Sequence, residues 1–105
     1  IAQMEIGCHT DVMDGCPKAV AIPMLLRSAN PQIIAVDEIT QSEDIQAIEE
    51  ASHCGVRFLA TIHADSVADL QSRPLLRRLQ KTHIFEKAIC IRMMDRHRRY
   101  RIEEL

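Results

Sequence analysis

The chain has 105 residues, 47% of them hydrophobic and 27% charged, with a net charge of −2. That composition excludes a disordered segment and fits a single globular domain. Aromatics make up only 3% with no Trp, and the balance is slightly acidic, so general DNA or RNA binding has neither stacking platforms nor positive charge behind it.

In chain order, residues 1–10 carry no clear period and read as loop or strand remnant. Asp14-Gly15 signals a turn, and Pro17 suits the first turn of a helix. Residues 18–29 follow as that helix, with Ala19, Ile22, Leu25, Leu26 and Ala29 on one face and a kink or late start expected at Pro23. Asn30-Pro31 ends it. Residues 33–36, Ile-Ile-Ala-Val, form an apolar, largely β-branched run expected to be a strand buried on both faces. It stops abruptly on Asp37 and Glu38.

A second helix is expected over residues 43–53, capped through Thr40 or Ser42 and burying Ile45, Ile48 and Ala51 or Ser52, with Cys54-Gly55 as its stop. Residues 56–62 form the next apolar strand, ending on His63. Ser66-x-x-Asp69 caps a short helix over 67–71, and Pro74 opens another over 75–81 with Leu75, Leu76 and Leu79 inward. Residues 85–93 make a third strand, which 95–98 turn back into 99–102. The alternation of helix and strand implies an α/β fold with a mostly parallel sheet and a C-terminal β-hairpin.

Four cysteines, Cys8, Cys16, Cys54 and Cys90, are widely spaced with no C-x-x-C pair and no signal peptide, so reduced thiols in the cytoplasm are expected. Cys8-His9 and Cys16 match no usual zinc spacing. No apolar run approaches the roughly 18 residues of a membrane span. The chain starts at Ile1 rather than Met, and it is expected to be a piece of something longer.

The chemistry concentrates at two strand ends. Parallel sheets bind ligands beyond the carboxyl ends of their strands. Asp37 and Glu38 stand where a Walker B pair would, the Asp for Mg²⁺ and the Glu to activate water. If the next strand is a near neighbour, His63 joins them at one crevice. Thr61 either donates to phosphate or fills a β position. Arg27 either pairs with Glu38 or Asp11 or reaches a nucleotide. Arg73, Arg77 and Arg78 are candidates for an arginine finger, and Arg96, Arg98, Arg99 and Arg101 form a basic cluster that reads as a solvated hairpin or a binding patch.

These residues also carry a resemblance. Residues 10–19, Thr-Asp-Val-Met-Asp-Gly-Cys-Pro-Lys-Ala, are its most specific part. Leu26-Arg27-Ser28, Pro31, Ile34-Ala35-Val36-Asp37-Glu38-Ile39, Glu43-Asp44, Cys54-Gly55, Leu59-Ala60-Thr61-Ile62-His63, Arg73-Pro74 and Phe85-Glu86 continue it. Together they resemble the stage III sporulation protein AA family, ATPases of endospore-forming bacteria related to the type II and type IV secretion ATPases. The resemblance implies the C-terminal part of a RecA-like P-loop NTPase core, with Asp37 as the magnesium ligand, Glu38 as the catalytic glutamate and His63 in the His box. Arg27 matches the arginine ahead of the Walker B strand.

The resemblance further implies ATP and Mg²⁺, a homo-oligomeric ring, membrane-associated sporulation channel proteins as partners, and a cytoplasmic position at the mother-cell side of the forespore membrane. The family's G-x-x-x-x-G-K-[ST] loop is missing: no Gly-Lys pair occurs in the 105 residues. The chain alone is therefore expected to be inactive. A non-catalytic, ATPase-like assembly module is the rival reading.

Overall fold

A computed structural model describes residues 16–105. Cys8, His9, Asp11 and most of the 10–19 block lie outside the described residues. The elements run α1 (Lys18–Ser28), β1 (Ile33–Val36), α2 (Ser42–Ser52), β2 (Arg57–Ala60), α3 (Asp69–Ser72), α4 (Pro74–Lys81), β3 (Lys87–Met94) and β4 (His97–Glu104). The result is a mixed α/β arrangement with two small sheets, parallel β1–β2 and antiparallel β3–β4.

Proline does not delay α1. The N–H groups of Val20 and Ala21 both donate to the Pro17 carbonyl, at 3.0 and 2.9 Å, and the helix continues past Pro23. Pro23 forfeits only its own N–H bond, while Ile22 is buried and Leu25 and Leu26 pack on the core beside it. Ala29, expected on the buried face, is instead the exposed C-cap. Asn30 then adopts a positive φ of 46°, a conformation Asn tolerates, and the chain leaves the helix at Pro31.

Helix α2 forms the centre of the core. Ile45, Ile48 and Ala51 are fully buried on its inner face, with Ala47 beside them. They meet Ile22 of α1, Ile34 of β1, Ile39, Val56 and Leu79 of α4 in one cluster. The helix starts differently from the expected Thr40 or Ser42 cap. The Asp44 carboxylate, almost wholly buried, accepts the N–H groups of Thr40 and Gln41 at 3.3 and 3.2 Å. At the other end Gly55, at φ 88°, makes the left-handed exit that a side chain would strain.

Ser66 does cap the next helix, its Oγ accepting the Asp69 N–H at 3.3 Å, although α3 begins only at Asp69 rather than at residue 67. Helix α4 buries Leu76 and Leu79 as the spacing predicts, and Leu75 is half-buried.

Two sheet expectations are corrected. First, β1 and β2 are covered on one side only. Ile34, Val36, Phe58 and Ala60 point to the core, whereas Ile33 and Leu59 are 63% and 62% exposed. Both faces are apolar, but among the described residues helices pack on just one of them. Second, the third strand does not extend the parallel pair. β3 instead turns back through the two-residue loop Asp95-Arg96 and pairs with β4, forming the C-terminal hairpin that the sequence indicates. Both hairpin strands are eight residues long, so the return strand is twice as long as expected.

Candidate functional site

The parallel register of β1 and β2 builds the site. Val36 pairs with Ala60, and the Thr61 N–H donates to the Val36 carbonyl at 3.3 Å, carrying the ladder one step further. Asp37 and Glu38 leave β1 at the edge where Thr61, Ile62 and His63 leave β2. The expected grouping of strand ends therefore holds for two of its members. His63 Nε2 lies 3.7 Å from Glu38 Oε2, an ion pair when the imidazole is protonated.

Asp37 takes another direction. Successive residues of an extended chain point to opposite sides, and Asp37 turns to the start of α1, where Lys18 Nζ sits 2.9 Å from its Oδ1. Lys18 is the residue that sequence reasoning missed. No local pattern signals it: a lysine at a helix start is ordinarily a solvated charge, and its reach to Asp37 comes only from how α1 packs.

The two acids stand on a pinned segment. Val36 packs on the core before them and Ile39 is buried just after them. Asp44 then holds the next two backbone N–H groups, so the backbone from 36 to 41 has little freedom. Glu38 is partly shielded, whereas Asp37 and His63 remain largely open to solvent. The edge is open surface. A hollow lies elsewhere, under the hairpin, lined by Ser66, Cys90, Arg92 and Arg101 among others.

The remaining candidates are less engaged. Thr61 is exposed, and it meets β1 through its backbone N–H rather than its hydroxyl. Arg27 is exposed at the end of α1 and forms no ion pair with Glu38; Asp11, its other candidate partner, lies outside the described residues. Arg73 pairs with Asp69 at 3.1 Å and Arg78 with Glu49 at 3.8 Å, so two of the three arginine-finger candidates are held within the chain.

The donor set can be tested against Mg²⁺. That ion prefers oxygen ligands and is commonly held by one or two carboxylates together with substrate phosphates and water. Asp37, an exposed carboxylate that turns away from Glu38 and toward Lys18, supplies one such ligand and leaves the rest of the shell to phosphates and water. Among the described residues no group of three or more His, Cys, Asp or Glu side chains could hold an ion without such phosphates.

A parallel β-α-β unit with acids and an imidazole at its carboxyl edge is the arrangement of an α/β protein with its site at the strand ends. Residues 1–101 match the family described as Sporulation stage III, protein AA, and the chain belongs to that family. Over 87 residues it is 41% identical to "Stage III sporulation protein AA" of Bacillus subtilis (strain 168), an alignment covering 83% of this chain and 28% of that relative. The chain thus spans less than a third of that relative's length. No solved structure matches. Among the described residues no helix is long and apolar enough to cross a membrane.

Proposed function

We propose that this chain carries the metal-and-water half of a RecA-like, secretion-type ATPase that serves sporulation. The observation behind the proposal is the parallel β1–β2 register, which brings Glu38 and His63 within 3.7 Å at the edge where Asp37 also emerges. The one-sided covering of β1 and β2 supports their being part of a wider parallel sheet, because parallel strands ordinarily have both faces covered. Asp37 would hold Mg²⁺, which when bound neutralises charge on the phosphates of ATP.

Glu38 Oε2 is the base. It accepts a proton from water as the water attacks the terminal phosphate, and His63 Nε2 holds the Glu38 carboxylate and the water in line. Phosphate must be gripped by residues other than these, since no Gly-Lys pair is present. A ring of copies at the mother-cell side of the forespore membrane, acting with membrane-embedded channel proteins, is the setting this activity suits.

The test is Mg²⁺-dependent ATP turnover by the full-length natural protein and its Glu38→Gln variant. Turnover should fall by about a hundredfold or more in the variant, the usual contribution of a general base, while nucleotide binding persists. The 105-residue chain alone should turn over no ATP. If the full-length protein is as inactive as its variant yet still assembles with partners, the non-catalytic module replaces the enzyme.

A further inference from the structure

His63 has little packing to hold it in place. Its side chain is 97% exposed, so contacts of the imidazole do not fix the 3.7 Å between its Nε2 and Glu38 Oε2. Residues 61–65 belong to neither β2 nor α3, and the position of His63 depends on where that stretch is tied at each end. The first tie is the Thr61 N–H on the Val36 carbonyl, 3.3 Å away, one step past the β1–β2 ladder.

The second tie is Asp65, and side chains from two other elements make it. The Asp69 carboxylate, at the start of α3, accepts the Asp65 N–H at 3.4 Å and is itself paired with Arg73. Arg92, from β3, donates through Nη2 to the Asp65 carbonyl. Both backbone polar groups of Asp65 are thus engaged, by residues four and 27 positions further along the chain. Two hollows flank Arg92, and the same loop walls both: Ser66 borders one, Ala64 and Asp65 the other.

Among the described residues Arg92 is the one hairpin side chain that hydrogen-bonds the body of the protein. The hairpin is anchored separately at its base, where Ile84 and Phe85 pack on the core. Register explains what Arg92 gains from the contact. It lies directly opposite Arg99, and like charges facing across two strands repel. A guanidinium that reaches a carbonyl oxygen offsets that repulsion with a charge-assisted hydrogen bond.

We infer that Arg92 is a positioning residue for His63. By holding the Asp65 carbonyl it fixes the loop that presents the imidazole to Glu38, and it ties the C-terminal hairpin to the strand-end site. Its catalytic consequence rests on the ATPase reading; the placing of His63 beside Glu38 does not.

The test follows the His63 imidazole by NMR in the full-length protein, isotopically labelled at histidine Cε1 and held at one pH, with the signal assigned from His63→Gln. Glu38→Gln removes the charged partner and so defines the shift of an unpaired His63. Arg92→Gln should move the His63 signal most of the way to that position, while the His53 and His83 signals stay where they are. Arg92→Lys, which keeps a charged donor, should leave His63 near its parent position. In an ATP-hydrolysing parent, Arg92→Gln should also lower kcat about tenfold with KM for ATP within about twofold, as misplacement of a catalytic group does.

A His63 signal unmoved by Arg92→Gln overturns the inference whatever the turnover. So does a His63 signal indifferent to Glu38→Gln, since there is then no pair to position. Movement of His53 and His83 together with His63 overturns it by making Arg92 a general support of the fold, and an unchanged kcat in an active parent does the same. A parent without turnover whose His63 signal still follows Arg92 strikes the ATPase reading and leaves the positioning role standing.

Discussion

Lys18 Nζ lies 2.9 Å from Asp37 Oδ1, tying the first turn of α1 to the carboxyl end of β1. The contact joins the most family-specific block of the sequence to the acid proposed to hold the metal. It puts an ammonium where a divalent cation would need to approach. Asp37 is largely exposed, so the pair adds little to stability, within about 1 kcal/mol.

Lys18→Met should therefore leave the melting temperature within a few degrees of the parent. Its larger effect should fall on the cation. Removing one positive charge from beside Asp37 should tighten Mn²⁺ binding, used as a probe for Mg²⁺, by about threefold to tenfold: two charges repelling one across some 5 Å of water-like dielectric amount to about 1.7 kcal/mol, which physiological salt screens to roughly half. Electron paramagnetic resonance of free Mn²⁺ in the presence of nucleotide reads this directly in the full-length protein. Weaker binding in the variant would mean that Lys18 orients Asp37 rather than competing with the ion.

The core and the outer sheet face should respond oppositely to the same substitution. Ile48 is fully buried among Ile22, Ile34 and Ile45, so Ile48→Ala should cost about 2–5 kcal/mol, a large part of a typical domain's stability. Ile33, one position before buried Ile34, is 63% exposed, and Ile33→Ala should cost less than about 1 kcal/mol. Urea midpoints of the two variants separate these outcomes. Equal losses would show that the outer face of β1 is covered in solution.

That contrast also marks how far the sequence could be read. Helical spacing located α1, α2 and α4 and the buried Ile45, Ile48, Leu76 and Leu79, because a 3.6-residue period reports directly on which side meets the core. The apolar runs located β1 and β2, and their terminal acids and His63 indicated a shared edge. The turn at 95–98 indicated the β3–β4 hairpin, but hydrophobicity alone could not say whether each face of β1 and β2 would find a cover. The Asp37 partner was equally hidden: Glu38 and His63 are connected by strand register, but Lys18 reaches Asp37 through helix packing, which has no local pattern.

The start of α3 should be sensitive to acid. The Ser72 hydroxyl, 3.0 Å from the Asp69 carboxylate, holds its pKa below the ordinary value, aided by the Asp65 N–H and by Arg73. Since the folded pKa is the lower one, the carboxylate's contribution is complete above the unfolded pKa of roughly 3.9 and disappears as pH falls through the folded value. Asp69→Asn should thus melt earlier than the parent at neutral pH. The gap should close progressively below about pH 4. Melting curves of both proteins from neutral pH to strong acid check this. A gap that persists unchanged in acid would assign the effect to helix capping by a neutral hydrogen bond.

The hairpin turn can be improved, and doing so tests what holds β3 to β4. Asp95 and Arg96 have φ values of 48° and 66°, the two left-handed positions of a two-residue hairpin loop. Asp suits the first of them. Arg at the second position carries a Cβ that costs about 1–2 kcal/mol in this region, against about 0.5–1 kcal/mol of extra chain entropy lost by a glycine. Arg96→Gly should accordingly stabilise the hairpin by up to about 1 kcal/mol, seen as severalfold slower amide exchange along β3 and β4. Faster exchange in the glycine variant would mean that the Arg96 side chain, and not the turn geometry, holds the two strands together.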